Sequence, residues 1–362
     1  MKTSIITHPL WGNYGGMLQA YAMQAILKRE VDIETTVVTQ QPQLRGYSKL
    51  KYFLRICQLW LRLTTLNTPI NGRLRLAMAE RFRSKHVSTT LLHNADRYVV
   101  GSDQVWRKSS ADFIGGIKRF FLDFATAEQR NRSIAYAASF ATDVWEGSPD
   151  ETEACRNLLQ QFKAVSVREH TGINICREVF GVEAVQMPDP TFLLHSDDYR
   201  KIIDSEKTWL PDGKYVAAYV LDETKENVKL LCECTIGMDM LLQHLMPHIT
   251  AKKRRDRFHI SVPQWLRLIR DCEYFITDSF HGCVFSIIFN KPFVCLGNKA
   301  RGTARFDSLL ETFGLQNRLI TEHTPEKVQR VLQTPIDWEN VNSIHDVERQ
   351  RGIAFLKANL SE

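Results

Sequence analysis

Residues 274–295 read YFITDSFHGCVFSIIFNKPFVC, and this stretch decides the fold class. An apolar, β-rich run ends at Thr277, a polar turn follows at residues 278–282, and an apolar helical run then leads into a second strand. This order of strand, turn, helix and strand is typical of a βαβ unit in a parallel sheet. Ligands of such sheets bind beyond the carboxyl ends of the strands, so we expect the chemistry of this chain at the turn.

The same alternation of strand and helix patterns continues through the rest of the chain. Strands are predicted at residues 3–7, 97–101, 133–137, 164–167, 215–221, 274–277 and 293–296. Helices are predicted at residues 16–29, 150–162, 171–180, 225–234, 262–270, 282–289, 305–313 and 344–360. Alternating elements of this kind predict an α/β protein with largely parallel sheets.

Chain length predicts two domains, because 362 residues exceed the size of one ordinary hydrophobic core. Two prolines in the segment Met187-Pro-Asp-Pro190 exclude a helix there and mark the boundary. We therefore predict an N-terminal lobe at residues 1–188, a C-terminal lobe at 189–340 and a final helix at 341–362 that packs back on the first lobe. Two α/β lobes joined in this way would enclose a cleft.

Composition favours a globular protein, with 44% apolar and 24% charged residues. No run of 18 apolar residues occurs, and residues 1–7 lack the pattern of a signal peptide, so we expect a cytoplasmic protein. The eight cysteines are scattered among apolar residues, which predicts reduced core thiols. We expect neither a metal nor a resident cofactor.

A basic, amphipathic segment spans residues 45–87. Residues 41–90 carry ten Lys or Arg against the single acid Glu80, and Lys51, Arg55 and Arg62 share one stripe of a predicted helix. Such a helix either lies on an anionic membrane, at its inner face, or packs on its own lobe with the basic stripe in water. Nucleic acid is not an expected partner, because no nucleic-acid-binding motif is present.

Polar turns after the predicted strands supply the candidate functional residues. His281, in the turn at 278–282, can give or take a proton near neutral pH. Three cations follow within seven residues, at Lys299, Arg301 and Arg305, and suggest an anion clamp beside that acid. Arg168 ends another apolar strand, where it is either functional or paired with a neighbouring acid.

Two turns in the first lobe follow the same arrangement. The first strand leads into a loop that contains Asn13, Tyr14, Gly15 and Gly16, and paired glycines let a backbone approach a ligand closely. A tight βα turn without a ligand is the alternative. The second turn, Gly101-Ser102-Asp103, leaves Asp103 either to orient or deprotonate a sugar hydroxyl or to cap the next helix.

Four motifs occur in a fixed order along nearly the whole chain. They are Asn13-Tyr-Gly-Gly16 with Leu18-Gln-Ala-Tyr-Ala22, Gly101-Ser-Asp-Gln-Val-Trp106, Ser166-Val-Arg-Glu169 and Asp278-Ser-Phe-His-Gly282. In this combination the sequence resembles the polysaccharide pyruvyl transferase family. The resemblance implies two Rossmann-like lobes with parallel sheets facing a cleft, similar to GT-B glycosyltransferases. It also implies transfer of pyruvate from phosphoenolpyruvate to a saccharide as a ketal.

The resemblance also implies roles for individual residues. The family histidine falls on His281, whereas the family's arginine position holds Ser279. Either another cation supplies that charge, or this branch uses a different donor or reaction. We expect His281 and Asp103 to be catalytic. Donor binding is expected of Arg168, Ser279, Lys299, Arg301 and Arg305, and acceptor binding of Asn13, Tyr14, Gly15, Gly16 and Ser102.

Two other functions stay open at the level of sequence. A nucleotide-sugar glycosyltransferase could use the same two-lobed frame, since architecture does not define chemistry. A non-catalytic saccharide-binding protein of a polysaccharide assembly system would explain Ser279. In each case the expected partner is a saccharide, free or lipid-linked, and lipid linkage would give the segment 45–87 a membrane-binding purpose.

Overall fold

A computed structural model describes residues 1–39, 69–91, 94–112, 115–222, 224–247, 254–297 and 303–361. The expected membrane-facing residues Lys51, Arg55 and Arg62, and the expected donor-binding residues Lys299 and Arg301, lie outside these ranges. Among the described residues, no helix is both long enough and apolar enough to cross a membrane.

The first sheet contains seven described strands, all paired in parallel. Its strands are β1 (Thr3–Ile6), β2 (Thr35–Val38), β3 (Thr89–Thr90), β4 (Arg97–Val100), β5 (Ile134–Ala138), β6 (Ala164–Val167) and β7 (Val185–Gln186). The order across the sheet is β3-β2-β1-β4-β5-β6-β7. The chain thus reverses direction across the sheet between β1 and β4, which creates a crevice beyond their carboxyl ends.

Helices connect these strands on both faces of the sheet. They are α1 (Tyr14–Glu30), α2 (Pro69–His86), α3 (Lys108–Asp112), α4 (Ala127–Arg130), α5 (Pro149–Leu159) and α6 (His170–Phe180). Asn13 caps α1 by accepting a hydrogen bond from the Gly16 N–H, and Ser148 begins α5 with a capping box. The strands β1, β4 and β5 are buried throughout, as expected for a sheet covered on both faces.

The second sheet contains five described strands, again all parallel. They are β8 (Tyr215–Tyr219), β9 (Leu241–His244), β10 (Tyr274–Thr277), β11 (Phe293–Leu296) and β12 (Leu319–Ile320), in the order β12-β11-β10-β8-β9. Their helices are α7 (Ser196–Ile203), α8 (Lys225–Gly237), α9 (Val262–Arg270), α10 (Phe280–Ile288), α11 (Ala304–Thr312) and α12 (Pro325–Gln333). Here the chain reverses direction across the sheet between β8 and β10.

A final helix, α13 (Trp338–Leu360), returns to the first sheet. The ring of its Phe355 lies 6.0 Å from that of Tyr136 on β5, and Lys163 donates to the carbonyl of Asn359. The 3-10 turn Pro190–Leu193, which follows the predicted lobe boundary, is fully buried between α1 and α13. One continuous hydrophobic cluster therefore includes residues of both sheets.

The predicted fold class, α/β with two parallel Rossmann-like sheets, is confirmed by the strand order and pairing. Each predicted strand corresponds to a strand of the structure. The predictions missed β2, β3, β7, β9 and β12, and among the helices α2, α3, α4, α7 and α12. Cysteines in the described part are unpaired, and all of them are buried except Cys232.

Candidate active site between the two sheets

A cavity of about 290 Å³ lies where the loops at the two reversal points face each other. Its lining residues follow the carboxyl ends of β1, β4, β8, β10 and β11, and include Asn13, Asp103, Arg107, Asp222, Ser279, His281 and Arg305. Loops at such reversal points bind the ligands of open parallel sheets. Since both sheets direct these loops at one cavity, this is the place where a ligand would contact both lobes.

His281 is held between the two lobes near the start of α10. Its side chain is 10% exposed, and its Nε2 lies 3.7 Å from Oδ2 of Asp189. On the other side of the ring is Gly15 of α1, where a Cβ atom would lie 2.0 Å from the imidazole Nδ1. Within the described residues Nε2 has no hydrogen-bond partner. The glycine leaves the space that the imidazole occupies, and the carboxylate faces its second nitrogen.

Asp189 is the centre of a buried hydrogen-bond network. Its Oδ2 accepts from Nη1 of Arg168 at 3.0 Å and from Nε2 of Gln19, and lies 3.3 Å from Oγ of Ser102. Its Oδ1 accepts from the backbone N–H of Thr191 at 3.1 Å and from the Thr191 hydroxyl at 2.7 Å. These contacts join α1, the loop after β4, the end of β6 and the start of the second lobe.

The charge of Asp189 is stabilised despite complete burial. Burial alone would raise the pKa of this carboxyl, but His281, the positive charge of Arg168 and the Thr191 hydroxyl outweigh it and hold the pKa well below its usual value. Asp189 is therefore a carboxylate over the physiological range. It provides a fixed negative charge beside His281.

Asp103 lies on the opposite wall of the cavity and is also ionised. Its Oδ2 accepts from Nδ2 of Asn13 at 3.1 Å, and its Oδ1 accepts from the backbone N–H of Gln104 at 2.9 Å. Burial would raise its pKa, but electrostatic interactions with His8, His281 and Arg168 and the hydrogen bond from Gln104 together lower it below the usual value. A carboxylate of this kind is a weak base and a good hydrogen-bond acceptor, so it suits the orientation of a hydroxyl group better than its deprotonation.

Three arginines place positive charge around the cavity. Arg168 pairs with Asp189 and lies over the ring of Phe280, 4.2 Å from its centroid. Arg107 and Arg305 line the cavity itself. Burial and the positive charges of Arg168 and Arg107 lower the pKa of Arg305 to about 10. In the described part of the chain, each of the three has at least one buried guanidinium nitrogen without a hydrogen-bond partner.

Asp278 and Ser279, which are close to His281 in sequence, make their hydrogen bonds elsewhere. Asp278 accepts from the backbone N–H groups of Leu221 and Asp222 at 2.7 and 2.9 Å, and so braces the loop after β8. Ser279 caps α10 by accepting from the Gly282 N–H, while also lining the cavity. The group that faces the imidazole is Asp189, which belongs to the predicted lobe boundary at Met187–Pro190.

The remaining expected site residues divide into cavity and core. Asn13 lines the cavity, and Gly15 and Gly16 bring α1 against His281 and Asp103. The Tyr14 hydroxyl donates to the carbonyl of Ile260 at 2.7 Å, and its ring stacks on Trp265, so this side chain joins the two lobes. Ser102 belongs to the buried Asp189 network.

Sequence reasoning missed three residues of this region, namely Asp189, Arg107 and Gln19. Asp189 lies between two prolines and was interpreted as part of a linker. Gln19 could have been found from the sequence, because it interrupts the apolar face of α1. In the structure this side chain is only 3% exposed. A buried amide requires a polar partner, which here is the Asp189 carboxylate together with Ser102.

With both reversal points contributing loops to one cavity, the fold and the site define a two-lobed α/β protein with a candidate ligand site between its lobes. Residues 13–300 match the family model described as polysaccharide pyruvyl transferase. The chain therefore belongs to the polysaccharide pyruvyl transferase family, and this family implies a transferase. A search of curated proteins finds no significant match.

Several solved structures resemble the chain over almost its full length at low identity. The S. aureus MnaA–UDP co-structure has 13% identity and a TM-score of 0.49, covering 99% of this chain and 98% of that one. UDP-GlcNAc 2-epimerase from Neisseria meningitidis bound to UDP-GlcNAc has 10% identity and a TM-score of 0.49, covering 99% and 100%. Spinosyn forosaminyltransferase SpnP has 11% identity and a TM-score of 0.47, covering 97% and 95%.

Proposed function

We propose that this protein transfers pyruvate from phosphoenolpyruvate to a saccharide and forms a pyruvate ketal. The observation that carries the proposal is one cavity that His281 shares with Arg107 of the first lobe and Arg305 of the second, each with a buried Nε that has no hydrogen-bond partner among the described residues. The donor carries a carboxylate and a phosphate, so its site requires cations as well as a proton donor. Family membership supports pyruvyl transfer to a polysaccharide in general terms.

In the proposed reaction, His281 in its protonated form gives a proton to the methylene carbon of phosphoenolpyruvate. The resulting cationic C2 is attacked by one sugar hydroxyl, whose proton returns to the imidazole. Phosphate then leaves with the proton of a second hydroxyl as that oxygen closes the ketal ring. Asp189, 3.7 Å from Nε2, would keep the imidazolium oriented and balance its charge.

Each substrate has candidate binding residues in this scheme. Arg305 would bind the donor directly, since a planar guanidinium fits a carboxylate or a phosphate through two hydrogen bonds. Arg168, which pairs with Asp189, would add positive charge beside the donor. Asp103, fixed by Asn13, would accept a hydrogen bond from the saccharide. No metal is required in this scheme, because the cations of the cavity serve the donor.

The test is replacement of His281 by glutamine, which keeps the size of the side chain and removes the acid. We expect phosphate release from phosphoenolpyruvate, measured with a panel of saccharide acceptors, to fall by about 10²–10⁴-fold. The melting temperature should stay close to that of the wild type. Unchanged turnover in this variant would remove His281 from the mechanism.

Donor class is tested separately by ligand-induced stabilisation. Phosphoenolpyruvate should raise the melting temperature of the wild-type protein, whereas UDP-GlcNAc should not, because only a ligand that binds the folded state stabilises it. Stabilisation by the nucleotide sugar alone would favour a glycosyltransferase and contradict the proposal.

We propose in addition that the acceptor is lipid-linked and that the basic stripe of Lys51, Arg55 and Arg62 within the segment 45–87 binds an anionic membrane. This proposal rests on the basic composition of that segment, since Lys51, Arg55 and Arg62 lie outside the described residues. The protein should sediment with phosphatidylserine vesicles at low salt, and reversal of charge at Arg55 and Arg62 should abolish this. Sedimentation that is unaffected both by salt and by these charge reversals would contradict the membrane-binding proposal.

A further inference from the structure

We propose that Arg107 is a donor-binding residue that holds the anionic donor from the first lobe, opposite Arg305 of the second lobe. Arg107 follows β4 and lines the cavity, whereas Arg305 enters the same cavity at the start of α11. This inference deepens the proposed function and rests on its anionic donor. Its consequence is that donor binding joins the two lobes directly.

The guanidinium of Arg107 is oriented by a neighbouring amide, but it forms no ion pair with any residue that the structure describes. Its Nη1 donates to Oε1 of Gln104 at 3.1 Å, and this amide also lines the cavity. Its Nε is buried without a hydrogen-bond partner, and in the described residues no carboxylate lies within 4.0 Å of it. A neutral amide therefore orients the guanidinium without neutralising it.

Arg305, which lines the same cavity from the second lobe, is in a similar position. It too has a buried, unpartnered Nε, and no ion pair to it occurs among the residues that the structure describes. Burial and the charge of Arg168 are the main causes that lower the pKa of Arg305, and Arg107 lowers it further, while the carboxylates of Glu169 and Asp103, which form no ion pair with Arg305 among the described residues, partly offset them. Two partly buried guanidiniums, each with a buried Nε that has no hydrogen-bond partner among the described residues, are stabilised when an anion binds between them.

The chemistry of the ligand follows from this arrangement. A compact metabolite with two anionic groups would supply the missing counter-charge, with one guanidinium for each group. Phosphoenolpyruvate has this character, and a cavity of about 290 Å³ admits a molecule of that size. Arg168 differs from the other two, because Asp189 already neutralises it.

The experiment compares Arg107→Gln and Arg107→Lys with the wild-type protein. Calorimetric titration with phosphoenolpyruvate should show affinity reduced by about 10- to 100-fold in R107Q, the effect of losing a charged hydrogen-bond donor. R107K, which keeps the charge but not the planar fork, should lose less. The control is Arg177→Gln on α6, which removes an exposed ion pair with Glu183 and should leave the affinity for phosphoenolpyruvate unchanged.

Stability without ligand distinguishes a binding role from a structural one. Because Arg107 has no counter-ion in the described residues, R107Q should melt, without ligand, at or above the temperature of the wild type. The increase in melting temperature caused by phosphoenolpyruvate should shrink in this variant. A melting temperature of ligand-free R107Q well below the wild-type value would assign Arg107 a structural role and overturn the inference.

Titration with inorganic phosphate separates this inference from the proposed function. If phosphoenolpyruvate binds the wild type and R107Q equally well, Arg107 is excluded while the proposed function stands. If the wild type binds inorganic phosphate but not phosphoenolpyruvate, and R107Q loses that binding, the donor is wrong but the role of Arg107 as an anion-binding residue stands. If the wild type binds neither, both proposals fail.

Discussion

Replacement of Gly15 by alanine tests how closely the first lobe sets the position of His281. An alanine Cβ would lie 2.0 Å from Nδ1 and 2.2 Å from Cγ of the imidazole. To restore an ordinary contact of 3.4 Å, the ring and α1 must separate by about 1.4 Å. A shift of about 1 Å in a reacting group can cost roughly 10²-fold in rate, and we expect a loss of this size in G15A.

Stability should change much less than activity in this variant. Overpacking of a tight site costs about 1–3 kcal/mol, while alanine in place of a helical glycine recovers about 0.5–1 kcal/mol. We therefore expect the free energy of unfolding to fall by about 1–2 kcal/mol. The assay is phosphate release from phosphoenolpyruvate at saturating donor, combined with urea unfolding of the same preparation.

Two other glycines, Gly16 next to it in α1 and Gly72 in α2, provide matched controls for G15A. At Gly16 an added Cβ would meet Asn13 and Asp103 at 3.4 Å, an ordinary contact, so G16A should lose less than about tenfold in rate. At Gly72 of α2 nothing lies within 4 Å, so G72A should gain about 0.5–1 kcal/mol and keep its rate. Wild-type turnover in G15A would refute the conclusion that this glycine sets the position of the imidazole.

Two further predictions concern the buried contacts between the lobes. Asp189→Asn should destabilise the protein by about 3–5 kcal/mol at pH 7, because it leaves the Arg168 charge buried without its partner. Since the pKa of Asp189 is lowered on folding, the carboxylate stabilises the fold above the unfolded pKa of about 3.9, and this contribution is lost as the pH falls further. The difference between wild type and D189N in urea unfolding should therefore shrink below about pH 4, and a constant difference down to pH 2 would contradict this. Tyr14→Phe removes the hydrogen bond to Ile260 and should cost about 1–2 kcal/mol. If Tyr14 is structural, as its contacts indicate, the KM of Y14F for the saccharide stays unchanged. A raised KM would indicate instead that the Tyr14 hydroxyl contributes to acceptor binding.

The parts of the fold that the sequence predicted are those with local signals. Strands such as β10 and β11 are short apolar runs bounded by a polar turn, so periodicity was sufficient to find them. The strands β3 and β7 have two residues each, too few for any periodicity to register. The order of strands across each sheet is a property of long-range packing, and no local pattern specifies it.

The same distinction applies to the candidate site. His281 was predicted because it follows a strand within five residues of sequence. Asp189 lies 92 positions from His281 in the chain, and its Pro-Asp-Pro context also fits a linker, so only the folded chain brings the two side chains within 3.7 Å. Arg107 directly follows the motif Gly101–Trp106, whose last residue, Trp106, is a core side chain. Its importance depends on Arg305, which belongs to the other lobe.

The departure at Ser279 takes on a different meaning once the cavity is described. Resemblance to the family places an arginine there, and its absence suggested a lost activity or another donor. Yet Ser279 shares its cavity with Arg107 and Arg305, two guanidiniums without counter-ions among the described residues. Positive charge is therefore present at the position where an anion would bind, although it comes from other elements.

The contacts of His281 explain why neither lobe alone could fix the position of its imidazole. The imidazole belongs to the second lobe, but the surface that limits its position, Gly15, belongs to the first. Asp189 faces the ring from the start of the second lobe, and Gln19, Ser102 and Arg168 of the first lobe hold this carboxylate in place. A separation of the lobes would remove the packing against the ring and expose the carboxylate network to water, where electrostatic interactions are weak. The proposed proton donor and its counter-charge are therefore positioned only where the two lobes meet, which is also where the proposed anionic donor would be bound from both sides.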